Sequence, residues 1–184
     1  MEEQGDEAQW IEAATRGDHE AFACLVTAYT NPVYNLAYRM LQNRPEAEDA
    51  TQEIFLRGYN KLASFDRSRR FVAWLLSIAA HYCIDELRRR KGVQLPLDDL
   101  AFAVPSTAPG PESSALQNEQ RQAIAQAMAA LPATYCLVAV LRYVNELSYE
   151  EIAAVTELPE TTVKTRLFRA RRLLQTLLTQ EIDR

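Results

Sequence analysis

Trp74, His81, Asp85 and Arg88 recur at helical spacing within the stretch Phe71 to Lys91. At 3.6 residues per turn they fall on one face of a helix, while Leu75, Leu76, Ala79, Cys83 and Leu87 fall on the other and make an ordinary core stripe. The first face combines an aromatic ring, an imidazole, a carboxylate and the start of a basic run. Rings that stack on bases and cations that hold phosphates are the chemistry of single-stranded nucleic acid binding. The competing account is structural: Trp74 fills a groove between helices and the basic run complements the helix dipole. The loop just before this helix, residues 63–70 (ASFDRSRR), adds Arg67, Arg69 and Arg70 beside Phe71, with Asp66 available to cap.

A second chemical stretch runs from Leu147 to Leu174. Ser148 and Glu151 form a capping-box pattern that opens a short helix, with Tyr149, Ile152 and Ala153 turned inward. A tight connection at Thr156 to Leu158 follows, and Pro159 is expected to start a longer helix. Short helix, turn and longer basic helix is the helix-turn-helix pattern. On the longer helix Val163, Leu167, Ala170 and Leu174 make the core stripe. Thr161, Thr165, Phe168, Arg169 and Arg172 face away from it, flanked by Thr162, Lys164 and Arg166. Short hydroxyls suit base edges, arginines suit guanine or phosphate, and an outward Phe168 suits a thymine methyl or a sugar.

A third face is of a different kind. On an expected helix from Glu46 to Leu62, residues Ala47, Ala50, Thr51, Ile54, Phe55, Gly58 and Leu62 turn inward. Asp49, Gln52, Glu53, Leu56 and Asn60 share the outside. An apolar centre with a polar rim is the pattern of a protein contact, although single exposed leucines are also common.

The elements that position these faces are helical throughout. Helix is expected over 8–29 with an interruption at Gly17-Asp18, over 33–42 after a turn at Asn31-Pro32, and from Glu46 after Pro45. Residues 92–116 carry Pro96, Pro105, Pro109 and Pro111 and read as an extended linker. Helix resumes from 117 to Leu131 and again to about Val144. No segment alternates convincingly as a strand. The fold class is therefore all-α: two small helical domains joined by a proline-rich linker, the second containing the helix-turn-helix. The boundaries are 1–92, 93–116 and 117–184.

The chain has 184 residues, 48% of them hydrophobic and 24% charged, a globular composition. Its net charge of −5 argues against a generic nucleic-acid binder, but the charges are segregated. Acids crowd the first twenty residues and Glu46 to Glu53; bases crowd 67–70, 88–91 and 164–172. Cys24, Cys83 and Cys136 are widely separated in apolar contexts, so no zinc site is expected and three buried thiols suit a reducing cytoplasm. The acidic start (MEEQGDEAQW) is not a signal peptide, and no apolar run reaches the roughly 18 residues of a membrane span. No carboxylate pair, nucleophile–base pair or phosphate-binding glycine loop is present, so neither an enzyme, a catalytic residue, a metal nor a cofactor is expected.

Both chemical stretches resemble one family, the bacterial extracytoplasmic-function group of sigma-70 sigma factors. PEAEDATQEIFLRGYNKLASFD resembles its polymerase-binding region, and RRFVAWLLSIAAHYCIDELRRRK its promoter-melting and minus-ten region. LPATYCLVAVLRYVNELSYEEIAAVTELPETTVKTRLFRARRLL resembles its minus-thirty-five-binding domain. The resemblance covers nearly the whole chain in order. It implies that Asp49, Gln52, Glu53 and Leu56 bind the clamp helices of the polymerase beta-prime subunit. The loop Ser64 to Phe71 would hold a flipped minus-ten base, bringing in Asp66, Arg67, Arg69, Arg70 and Phe71. Trp74, His81, Asp85, Arg88 and Arg89 would line the non-template strand. Thr161, Thr162, Lys164, Thr165, Arg166, Phe168, Arg169 and Arg172 would enter the major groove of the minus-thirty-five element. The implied partners are core RNA polymerase (beta-prime clamp helices and beta flap), duplex and single-stranded promoter DNA, and an anti-sigma factor. The implied role is promoter recognition and melting for a stress or envelope-response regulon. The implied location is the cytoplasm, with the anti-sigma factor able to hold the chain at the inner membrane. The sequence departs from the family pattern at His81, where Asn is usual, and at Glu157 and Pro159, where Gly and a capping Ser are common.

Two other readings of the residues stay open at this point. A free-standing helix-turn-helix regulator with a helical sensory or dimerisation domain predicts tight duplex binding without polymerase. An inert helical scaffold predicts no salt-dependent DNA binding.

Overall fold

The structure is a computed structural model that describes residues 2–91 and 123–182. All regular structure among them is helical: α1 (Glu2–Thr15), α2 (His19–Leu41), α3 (Arg44–Lys61), a short 3₁₀ turn (Leu62–Ser64), α4 (Phe71–Lys91), α5 (123–129), α6 (Ala133–Tyr143), α7 (Tyr149–Thr156) and α8 (Glu160–Ile182). The expected linker 93–116, and residues 117–122 of the expected helix after it, lie outside the described residues.

The first unit is built by α1 to α4. Gly17 takes a positive φ of 95° between α1 and α2, a conformation glycine adopts without strain. Asp18 then caps α2, its carboxylate accepting from the backbone N–H groups of Glu20 and Ala21 at 2.9 and 3.1 Å. Where one interrupted helix over 8–29 is expected, two separate helices stand.

The expected turn at Asn31-Pro32 is absent, because α2 continues through Pro32 to Leu41. A proline inside a helix removes one hydrogen bond and crowds the preceding turn. Here Leu25, Val33, Leu36, Ala37 and Met40 are all buried. Both halves of α2 thus pack their apolar face on the same core, which offsets that cost, and Pro32 stays partly exposed. At the end of α2, Gln42 takes the left-handed conformation. Asn43 caps α3 by accepting from Glu46 N–H at 3.1 Å, with Pro45 in the first turn as expected.

α4 is the axis of this unit. Leu75, Leu76, Ala79, Cys83 and Leu87 are buried against α2 and α3. A Cβ on Gly58 of α3 would lie 3.2 Å from Leu75 Cδ1, so the glycine marks a close approach of α3 to α4.

The second unit is built by α5 to α8. Ser148 and Glu151 make the expected capping box at the start of α7, with bonds of 2.7 and 3.1 Å. Glu157 ends α7 in the left-handed conformation at φ 56°. α8 begins one residue later than expected. Pro159 precedes it, and its carbonyl accepts from the N–H groups of Thr162 and Val163, because its rigid φ suits the entry to a helix.

The two units pack together. α6 lies against α2 and α7 against α4, and buried side chains of both belong to one apolar cluster. Cys83 and Cys136 are inside it, but Cys24 is exposed, so the expectation of three buried thiols is corrected. It sits on the outer side of α2, beside Trp10, Thr27 and Ala28.

Candidate polymerase and nucleic-acid interfaces

The inward residues of α3 (Ala47, Ala50, Thr51, Ile54, Phe55 and Gly58) are buried, and this fixes what the other side presents. Asp49, Gln52, Leu56 and Asn60 are exposed and Glu53 is half-buried. Leu56 leaves 60% of its surface open, the most of any large hydrophobic residue described. Glu53 bonds Arg57 Nε at 2.8 Å, which fixes one carboxylate at the rim. An apolar centre with acids and an amide around it suits a protein partner of basic or polar surface.

The loop before α4 is shaped by Asp66. Its Oδ1 accepts from Ser68 N–H at 2.9 Å, and the bonds from Ser68 hold the carboxyl below its usual range, with Arg69 adding to the effect. Arg69 stands 3.7 Å from Asp66, and Arg67 and Arg70 are exposed. Phe71 is only 2% exposed, which corrects its place among the strand-contacting residues. It is the floor of the loop, packed on Tyr29, Phe65 and Trp74 with ring centroids 5.2 to 5.4 Å apart. Phe65 was not among the expected site residues, yet its ring lies 5.2 Å from Trp74. Trp74 is accordingly a half-buried, supported ring rather than a free platform.

Further along α4, His81 Nδ1–H donates to the Ser77 carbonyl at 2.7 Å. Its Nε2 lies 3.5 Å from Glu157 Oε1 of the second unit. Asp85 and Arg88 are exposed and 3.7 Å apart. Arg89 pairs with Glu86 at 2.6 Å, and this partner raises the pKa of its guanidinium. The basic run then divides. Arg90 turns back to donate to the Leu41 carbonyl at 3.0 Å and to pair with Glu46, and burial lowers its pKa. Arg88 and Arg89 stay outward.

On α8 the core stripe is as expected for Val163, Leu167 and Ala170, all buried, with Leu174 half-buried. Thr161, Lys164, Thr165, Phe168, Arg169 and Arg172 are exposed, while Thr162 and Arg166 are half-buried. Phe168 is 56% exposed, an apolar ring held outward on a basic helix, with the Arg172 guanidinium 6.0 Å from its centroid. Arg169 Nη1 donates to Tyr135 Oη at 3.4 Å, and Lys164 pairs with Glu160 at 3.0 Å. Thr165 Oγ1 donates to the Thr161 carbonyl at 2.8 Å, which leaves its oxygen lone pairs facing out. α8 thus presents a cationic face with one aromatic group.

Comparison with known proteins turns these surfaces into a family assignment. Residues 25–93 match Sigma-70 region 2, and residues 121–174 match Sigma-70, region 4. Over 173 residues the chain is 38% identical to the ECF RNA polymerase sigma factor SigW of Bacillus subtilis, spanning 90% of this chain and 92% of that one. The chain belongs to the extracytoplasmic-function sigma factors. It is also 32% identical over 183 residues to the RNA polymerase sigma-H factor of Pseudomonas aeruginosa, covering 95% of each chain. With the ECF RNA polymerase sigma-E factor of Escherichia coli it shares 33% identity over 180 residues, 93% of each chain.

Among solved structures, CnrH in complex with the cytosolic domain of CnrY shares the fold. Its TM-score is 0.69 at 24% identity, over 95% of this chain and 98% of that one. The sigma factor RpoE in complex with the anti-sigma factor NepR from Bartonella quintana gives a TM-score of 0.68 at 25% identity, over 89% and 98%. As a sigma factor the chain is a transcription initiation factor that works with core RNA polymerase on promoter DNA, and it is not an enzyme. No helix among the described residues is long and apolar enough to cross a membrane.

Proposed function

We propose that this sigma factor divides promoter recognition among three of its surfaces. The α3 patch of Asp49, Gln52, Glu53 and Leu56 docks on the clamp helices of the polymerase. The loop Asp66 to Arg70 and the α4 residues Trp74, His81, Asp85, Arg88 and Arg89 take the unpaired minus-ten strand. The α8 residues Thr161, Thr162, Lys164, Thr165, Arg166, Phe168, Arg169 and Arg172 read the minus-thirty-five duplex, with the beta flap holding this unit in place. The units are 1–92 and 117–184, tethered by 93–116. The observation that carries the reading is the pairing of two outward hydrophobic groups with opposite surroundings. Leu56 stands in an acidic and amide rim, and Phe168 stands in a basic helix face. The first suits protein and the second suits DNA.

Melting a promoter costs a few kcal/mol per base step, and capture of an extruded base offsets part of that cost. Polymerase holds the two DNA contacts at a set separation, so each raises the effective concentration of the other. We assign the chain to a stress or envelope-response regulon. An anti-sigma factor covers its polymerase-binding surfaces and keeps it in the cytoplasm or at the inner face of the membrane. The solved relative RpoE, in complex with the anti-sigma factor NepR, supports this mode of control. The test is permanganate reactivity of a genomic promoter pool mixed with core polymerase and this chain. Reactive, unpaired thymines near the start that need both proteins support the reading. Protection of intact duplex by this chain alone, with no reactive thymines, overturns it.

A further inference from the structure

α7 lies against the side of α4 that carries the strand-facing residues. Ala73, Trp74 and Ser77 of α4 share the walls of a cleft of about 450 Å³ with Glu151, Ala154 and Val155 of α7. Two contacts pin its ends. Arg70 Nη1 lies 3.2 Å from Glu151 Oε1, and His81 Nε2 lies 3.5 Å from Glu157 Oε1. Eleven residues separate Arg70 from His81, a rise of roughly 16 Å along the helix, so the contacts fix register as well as proximity. On the other flank, Cys136 of α6 donates to the Arg39 carbonyl of α2 at 3.6 Å. A guanidinium recognises carboxylate and phosphate through the same fork of N–H donors. A carboxylate seated on Arg70 therefore occupies the place of a strand phosphate.

We propose that this packing is a self-closed state of the sigma factor, in which the second unit covers its own strand-binding stripe and Glu151 and Glu157 act as the latch. The inference rests on the reading of α4 as the strand-facing helix. Arg70, His81 and Glu157 are exposed and Glu151 is partly buried, so each pair shifts the open–closed balance by about five-fold. A latch of that strength sets the default state and yields to a large surface such as polymerase.

The test uses the full chain with Glu151→Gln and Glu157→Gly together. Gln at the third position of α7 keeps the capping-box hydrogen bond without its charge, and Gly relieves the positive φ at 157, so both ends of α7 keep their local geometry. Neither residue belongs to the polymerase- or DNA-contacting set. A second double variant, Glu20→Gln with Glu48→Gln, matches the change in net charge at exposed positions outside the cleft.

Two readouts are compared. The first is the rate of Cys136 alkylation by iodoacetamide, read by peptide mass spectrometry against exposed Cys24 in the same molecule. The second is anisotropy of a fluorescein-labelled random-sequence single-stranded DNA. The latch variant is expected to alkylate at Cys136 about five- to twenty-fold faster than wild type. It is expected to bind the strand several-fold tighter than the charge-matched variant. An unchanged Cys136 rate overturns the latch. A faster rate with strand affinity equal to the charge-matched variant overturns the occlusion. Wild type that binds no promoter strand even with core polymerase would instead defeat the functional reading of α4, and the thiol rates would still decide the latch.

Discussion

Replacing Leu56 with alanine isolates the proposed polymerase contact from the stability of the fold. Leu56 is 60% exposed, which for a leucine leaves roughly 100 Å² that a partner could cover. At about 25 cal/mol per Å², covering that surface is worth about 2.5 kcal/mol, and alanine keeps about a third of it. The loss of about 1.5 to 2 kcal/mol corresponds to roughly 10- to 30-fold weaker polymerase binding. Because the side chain extends beyond the buried row of Ala47, Ala50, Ile54 and Phe55, its removal opens no cavity. Alanine is also the better helix former. The assay is competition of wild type and variant for core polymerase against a labelled sigma factor, with thermal unfolding of the free chain alongside. The expected outcome is a weaker competitor with an unfolding midpoint within a degree or two of wild type. Equal competition would show that α3 does not dock through Leu56. A fall in midpoint that accounts for the weaker competition would show that Leu56 supports the fold.

Other expectations follow from the same geometry. Arg169→Ala should weaken binding of the upstream duplex element about ten-fold or more, measured as polymerase-dependent promoter affinity, while competition for core polymerase stays unchanged. Glu151 is partly buried, which opposes its charge, but the Ser148 N–H and Arg70 outweigh this and hold its carboxyl below the usual range. A depressed folded-state pKa means its stabilising contribution is present above the ordinary carboxylate range and is lost as pH falls through the lower folded value. The midpoint gap between wild type and Glu151→Gln should therefore narrow between pH 6 and pH 3. Burial pushes the thiols of Cys83 and Cys136 up to about 12, so at mildly alkaline pH a thiol titration of the folded chain should find Cys24 reacting first and the other two only slowly. Three thiols reacting at one rate would contradict the packed arrangement of the two units.

The all-helical fold and its main faces were legible because they rest on local periodicity. The α4 core stripe, the inward face of α3, the capping box at Ser148 and the outward Phe168 each follow from spacing that one helix imposes on its own residues. What failed to show was nonlocal. Pro32 reads as a break because the local cost is visible, whereas the buried row from Leu25 to Met40 that outweighs it is a property of the packed core. Phe71 reads as part of a basic and aromatic loop, but its burial depends on Tyr29, some forty residues earlier in the chain. Cys24 reads as buried from its apolar neighbours, yet it falls on the open side of α2. The contacts of Glu151 with Arg70 and of Glu157 with His81 join separate units, and no spacing within either unit announces them. The departures at Glu157 and Pro159 are absorbed locally, one in a left-handed turn and the other just ahead of α8.

The central claim is that this chain directs polymerase to promoters through both units at once. Run-off transcription with purified bacterial core polymerase, with and without the chain, on a genomic promoter pool tests it most directly. The account predicts new, discrete start sites that depend on the chain, and their alignment should give two conserved elements at a fixed spacing. No new starts, together with tight binding of the chain alone to duplex DNA, would contradict it.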